Sequence, residues 1–349
     1  MHDALLEMLT ADTGDIDNGQ SPVDWPECIP AAYRNRLRTK HGLKARRQRL
    51  LDAYQALEAA DHAAVRDAMI RQNELPVLLN DGLPCLRLDE LPTSVRTPIK
   101  EIFEFAFGLL SDLGLRDQNY KRVYNALQHK VCAFCGVEIL DAPGQKREAL
   151  DHYLPIAFYP FAGTNFRNLT PMGNKCNSRY KHQQDIIVDA QGNRRLCCDP
   201  YNSPELTLSL AGSTPFEGDQ VDLVRCPDWD IQWEGGDPAK LQTWEAAFNI
   251  SARYRASSLN PSFRSWMDHL SLWAAQTDRA ADTPADLRNT LREFAETAVP
   301  EGWSDSAFLK RATMLMLADR CDDTEQGSRV VDWLRDLIGS FKETMNAAA

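Results

Sequence analysis

Much is missing from this chain of 349 residues. No run of about 18 apolar residues occurs, so no membrane-spanning helix is expected. Met1 to Asp24 is acidic and polar, with no basic segment leading into an apolar one. A secretory signal is therefore not expected, and a cytoplasmic protein is. There is no Walker-type loop and no dinucleotide fingerprint, which argues against a nucleotide-driven motor within the chain. There is also no internal repeat and no low-complexity tract. The cysteines number nine, an odd count. Only Cys132 and Cys135 have metal-knuckle spacing, and Cys197 and Cys198 are adjacent. A secreted disulfide framework is unexpected; reduced thiols with one metal site fit better. Positive charge is short as well: 39 Lys and Arg against 50 Asp and Glu leave a net charge of −11. That balance disfavours a protein coated in nucleic acid.

What is present is unevenly spread. Lys121 to Arg195 holds eleven basic and six acidic residues, so this segment is at +5 and the remainder at −16. A locally basic segment on an acidic body suits a protein that meets phosphate at one face. The fold class expected is mainly α, with helical N-terminal and C-terminal regions flanking a small ββα-metal module. Residues 1–30 read as a flexible arm, rich in Asp, Gly, Ser and Pro, with a helical look only at Ala4 to Leu9. Residues 31–130 read as a helical domain. Its first helix, Ala31 to Ala60, is basic from Arg34 to Arg49 and could lie on phosphate, meet an acidic partner or be solvated. Helices are expected again at Asp61 to Gln72, Thr93 to Leu113 and Gln118 to Lys130. Residues 131–202 break the helical pattern. Val137 to Leu140 and Ala149 to His152 are strand candidates, Asn174 or Lys175 to Gln184 a helix, and Ile186 to Leu196 a hairpin. Residues 203–349 read as mostly helical, from Leu241 to Ser257, Pro261 to Gln276, Thr283 to Ala298, Ser304 to Ala318 and Gln326 to Ala347. The tail tryptophans read as core.

The chemistry is concentrated between Cys132 and His182. Phosphodiester hydrolysis needs an activated water and stabilisation of charge on phosphorus and the leaving oxygen. Asp151 offers a carboxylate and Asn177 an amide oxygen, hard donors suited to Mg²⁺ or Mn²⁺. His152 can act as a general base on water near neutral pH. Adjacent strand residues face opposite sides, so Asp151 and His152 share a site only at a strand end or kink. Asn168 can tie down the loop that follows His152. Lys175, Arg179 and Lys181, on or beside the expected helix, could hold phosphates.

Cys132-x-x-Cys135, Asp151-His152-x-x-Pro155, Asn168-Leu169 and Cys176-Asn177 together resemble the HNH (ββα-metal) endonuclease motif, over about 50 of the 349 residues. The resemblance implies His152 as general base, Asn168 as the structural asparagine, and Asp151 with Asn177 as ligands of a catalytic Mg²⁺. His182 is the alternative final ligand. The surroundings, from DHYLP through NLTPMGNKCN to DPY at Asp199 to Tyr201, are similar to HNH nuclease subunits of bacterial anti-phage systems, of which the Septu type works with an ATPase. DNA as substrate, a partner ATPase or other defence subunit, and no membrane are what this implies. Many such proteins carry a second C-x-x-C that completes a Cys₄ zinc site. Here Gly173 stands three before Cys176. A structural Zn²⁺ on Cys132, Cys135 and Cys176 is expected, its fourth ligand coming from His182, Cys197 or Cys198; the alternative is a degenerate, metal-free site. Two rival readings use the same residues: a non-catalytic zinc-knuckle adaptor, and an RNA-cleaving toxin.

Overall fold

Apolar residues at helical spacing fix the longest helix of the N-terminal half. Val95, Ile99, Ile102, Phe103, Ala106 and Leu110 lie on one face of α6 (Thr93–Asp112) and are fully buried. Burying such side chains contributes about 1.5–3 kcal/mol each before conformational entropy is charged against it. Around α6 pack α1 (His2–Asp17), α2 (Ala31–Leu37), α3 (His41–Gln55), α4 (Ala59–Arg71) and α7 (Leu115–Ala126), with the single turn α5 (Leu75–Leu78) after α4. The computed structural model describes residues 1–145, 150–202, 205–221, 224–300, 302–323 and 327–348. The strand expected from Ala149 and the helix expected from Gln326 begin outside these residues.

Residues 1–30 are not a loose arm. Helix α1 covers sixteen of them, with Leu5, Met8 and Leu9 buried in the first core. Its Asp12 is buried and accepts two hydrogen bonds from Arg47, at 2.7 and 2.5 Å. Of the basic side chains from Arg34 to Arg49 only Arg47 is buried, but other members pair with the neighbouring helix or its end. Arg49 pairs with Glu101, Lys40 with Asp112 at 3.7 Å, and Arg46 lies over the Phe105 ring at 4.4 Å.

After α7 the backbone turns tightly from Val131 to Leu140. Among the described residues Val137 to Leu140 pairs in no sheet: its one bridge there, Ile139 to Val131, closes that turn on itself. The sheet is β1 (Leu150–His152) paired antiparallel with β2 (Leu169–Pro171), placing His152 opposite Leu169 and Asp151 opposite Thr170. A π-helix, Lys175–Lys181, follows. Its widened winding is seen in the 2.8 Å bond from the His182 amide to the Asn177 carbonyl. Val188 and Arg194 form a bridge where a hairpin is expected.

The C-terminal half holds β3 (Thr207–Ser209), β4 (Gln220–Val221), β5 (Val224–Arg225) and β6 (Gln232–Glu234), with β3 paired to β6 and β4 to β5. Helices α8 (Pro238–Phe248), α9 (Ile250–Tyr254), α10 (Asn260–Gln276), α11 (Pro284–Thr297), α12 (Ala307–Arg320) and α13 (Gly327–Ala348) complete it. The helix expected over Leu241 to Ser257 is broken at Asn249, whose φ is 51°, and then runs on through a π-helical stretch, Arg255–Leu259, into α10. The chain is mainly helical, as expected. Its cores ignore the expected boundaries, however. The second core runs from Leu75 to Ile338 and includes Cys132, Cys135 and Cys176, while Leu150, Phe161 and Leu169 belong to the first. The segment 131–202 therefore sits between two larger cores.

Candidate functional site

The tight turn after Val131 brings four ligand atoms together. One atom each of Cys132, Cys135, Glu138 and Cys176 lies within 4.8 Å of the others. The three cysteines are buried. This set could hold a metal ion such as zinc, which takes thiolate and carboxylate donors in tetrahedral sites. Hydrogen bonds from Cys132 and Cys176 lower the pKa of the Cys135 thiol, burial raises that of Cys132, and the two neighbouring sulfurs raise that of Cys176. Charge at the first thiolate thus opposes ionisation of the others, and a bound cation would relieve that repulsion.

The fourth member is Glu138, not a residue expected. His182 is exposed, and the Cys197 thiol donates to the Ile186 carbonyl at 3.2 Å. Cys198 lines a cavity of about 370 Å³ beside the turn, with Tyr153, Trp244 and Trp303. The signal for Glu138 lay in the sequence, as Cys-x-x-Cys-x-x-Glu. The helical tail closes over the cluster. Trp244 donates to the Phe134 carbonyl at 2.7 Å and Tyr254 to the Cys135 carbonyl at 2.6 Å. Arg253 is buried, 3.1 Å from the Cys176 sulfur and 3.4 Å from a Glu138 oxygen.

The second constellation is at the end of β1. His152 is 8% exposed, and its Nε2 lies 2.8 Å from the Gly163 carbonyl. A carbonyl only accepts, so Nε2 carries the proton and Nδ1 holds the lone pair. Burial lowers the His152 pKa, the Gly163 bond and Asp151 oppose this, and Lys181 and Arg116 add to it. The ring is therefore neutral at pH 7. Asn168 secures the intervening loop as expected. Its Oδ1 accepts from the Leu154 amide at 2.7 Å, and its Nδ2 donates to the Leu154 and Ala162 carbonyls at 3.0 and 3.3 Å. Gly163 admits no side chain: a Cβ there would fall 2.5 Å from Ile156. The N-terminal helices hold the same loop from outside. Gln72 accepts from the Phe161 amide at 3.0 Å, Asn73 donates to the Phe161 carbonyl at 3.1 Å, and His2 bonds Thr164 at 2.9 Å. The Phe107 ring of α6 packs on His152 at 4.5 Å and carries the Arg116 guanidinium at 4.5 Å. None of these supporting residues has a local sequence signal.

Asp151 points toward the π-helix. With its amide turned to donate, Asn177 reaches both Asp151 oxygens, at 2.9 and 3.2 Å. The carboxylate and amide heads thus converge, as two ligands of one hard cation would. Lys181 lies on the same face of the π-helix and is 1% exposed, its Nζ 3.2 Å from Asp151. Its expected place on a phosphate-binding surface is corrected: it is an internal partner of Asp151 and competes for that carboxylate. Lys175 and Arg179 are exposed on the outer side of the π-helix. No family model matches the chain, and no curated protein or solved structure matches it.

Proposed function

We propose that this chain is a metal-dependent phosphodiesterase, and more narrowly an HNH endonuclease that cuts DNA as the effector of a bacterial anti-phage system. The observation that carries the reading is the His152 latch. A neutral imidazole is fixed with its lone pair on Nδ1, at the end of the strand that also carries Asp151 opposite Asn177. In this reading His152 takes the proton of the attacking water. Gly163 holds its tautomer and Asn168 holds the loop that positions Gly163. Asp151 and Asn177, its amide turned to present oxygen, would hold Mg²⁺ or Mn²⁺, which would supply charge stabilisation at phosphorus. Lys175 and Arg179 contact the backbone phosphates, which gives low sequence specificity. The helical head and tail dock a partner such as an ATPase, which speeds a cleavage that the isolated chain performs slowly.

One observation favours a second reading, a non-catalytic adaptor: the Lys181 ammonium already satisfies Asp151. Metal dependence separates the two. Wild type and Asp151→Ala are compared on plasmid DNA and on RNA with Mn²⁺ and with EDTA. The nuclease reading expects Mn²⁺-dependent cleavage of DNA by wild type and a loss of about 10²-fold or more in Asp151→Ala. Cleavage of RNA alone assigns the toxin function, cleavage of neither substrate by either protein the adaptor, and equal cleavage by both proteins removes Asp151 from the site.

A further inference from the structure

Glu138 and Gly173 meet face to face. A Cβ built on Gly173 would lie 2.6 Å from Glu138 Oε2 and 2.8 Å from its Cβ, closer than atoms can approach. Gly173 has an ordinary backbone, so space and not conformation requires the glycine. Gly173 also stands three residues before Cys176, the place from which a second knuckle cysteine would reach the cluster. The carboxylate of Glu138 fills the volume that this side chain would fill. It is also held there. The amides of Lys175 and Cys176 donate to it at 2.9 and 3.2 Å, and Arg253 pairs with it at 3.4 Å.

We infer that Glu138 is the fourth ligand of the zinc site, in the space a side chain at position 173 would need, making a Cys₃Glu centre whose carboxylate is aimed by the π-helix amides and by Arg253 of the tail. A carboxylate held by three donors has no freedom to turn away from a cation beside it, and its orientation is set before metal arrives. Three thiolates and a carboxylate would leave a zinc complex at −2. Arg253, stacked on Tyr180 at 4.2 Å and in contact with both Cys176 and Glu138, offsets part of that charge. The centre thereby joins the turn at Cys132, the π-helix and α9, segments far apart in sequence. This inference is independent of whether the chain cuts nucleic acid.

The test is metal binding by the full chain with its thiols reduced. Wild type is expected to bind one zinc ion and, loaded with Co²⁺ instead, to give a tetrahedral spectrum with charge-transfer intensity for three thiolates. Glu138→Gln keeps the shape and an acceptor for one of the two amides, which donate to different oxygens of Glu138, but removes the anionic ligand. It is expected to lose zinc affinity by about tenfold or more while keeping its circular dichroism. Glu138→Gly clears both the carboxylate and the Cβ, and should lose at least as much. Glu138→Gly with Gly173→Cys should bind zinc about tenfold tighter than Glu138→Gly alone. Its Co²⁺ charge-transfer intensity should rise in the ratio of four thiolates to three. The inference is overturned if wild type takes up no zinc, if Glu138→Gln binds it as tightly as wild type with the same Co²⁺ spectrum, or if the paired substitution is no tighter than Glu138→Gly.

Discussion

Two residues carry most of the chemistry proposed, and each is defined by its neighbours. His152 is the proposed base because the Gly163 carbonyl takes its Nε2 proton into a hydrogen bond and leaves Nδ1 its lone pair. Asp151 is a candidate ligand because Asn177 faces it, and it is a guarded one because Lys181 does too. Burial, the largest influence on His152, lowers its pKa below the ordinary 6.5. A lowered pKa keeps the imidazole neutral, and so able to accept a proton, to lower pH than an exposed histidine would. The acid limb of the cleavage rate at subsaturating substrate is therefore expected below pH 6.5, as read from a pH profile of kcat/KM. A limb at or above 6.5 would mean that another group limits the rate. Much at this scale was legible. The Cys pair, Asp151-His152, Asn168 and Asn177 were visible because each is fixed by local spacing. Lys181 was misplaced because residue type alone does not tell a buried lysine from a solvated one. Arg253 could not be seen at all, lying 77 residues from the sulfur it touches.

Among the elements, the sequence misleads where tertiary partners decide. The apolar spacing of Leu5, Met8 and Leu9 was present in α1, but Asp, Gly and Thr around it lower helix propensity, and packing against α3 and α4 overrides that. The basic run from Arg34 to Arg49 showed no acid nearby because its acids, Asp12, Glu101 and Asp112, arrive from other helices. Arg47 is the decisive case, since it and Asp12 are both buried. Arg47→Ala leaves the Asp12 carboxylate buried and unpaired and is expected to cost about 3–5 kcal/mol of stability in chemical denaturation. Exposed Arg38→Ala, on the same helical run, should change stability by less than about 0.5 kcal/mol. Equal effects would show that the run is uniformly solvated and that α1 is not locked to α3. The strand pairing departs from the sequence pattern for a similar reason. Val137 to Leu140 has strand composition, but the turn that gathers Cys132, Cys135 and Glu138 uses its backbone, leaving Leu169–Pro171 to pair with β1.

Taken whole, the molecule is mainly helical, as its periodicity indicated, but its three expected parts are not independent bodies. A stretch as short as 131–202 cannot bury much surface alone. It is supported from both sides: the first core takes up Leu150, Phe161 and Leu169, and the second takes up its three cluster cysteines. The head thus fixes the loop that orients His152, and the tail fixes the cluster that anchors the π-helix bearing Asn177. Periodicity reports which face of a helix is buried and not which core receives it, so this division was not legible. The arrangement makes the His152 site the point on which both halves bear. The most direct test is plasmid cleavage in Mg²⁺ or Mn²⁺ by wild type beside His152→Ala, with single-stranded DNA and RNA offered in parallel. The account predicts nicking or linearisation by wild type, a loss of about 10²–10⁴-fold in His152→Ala, and unchanged circular dichroism of the variant. Equal cleavage by the two proteins, or no cleavage of any of the three substrates by wild type, would contradict it.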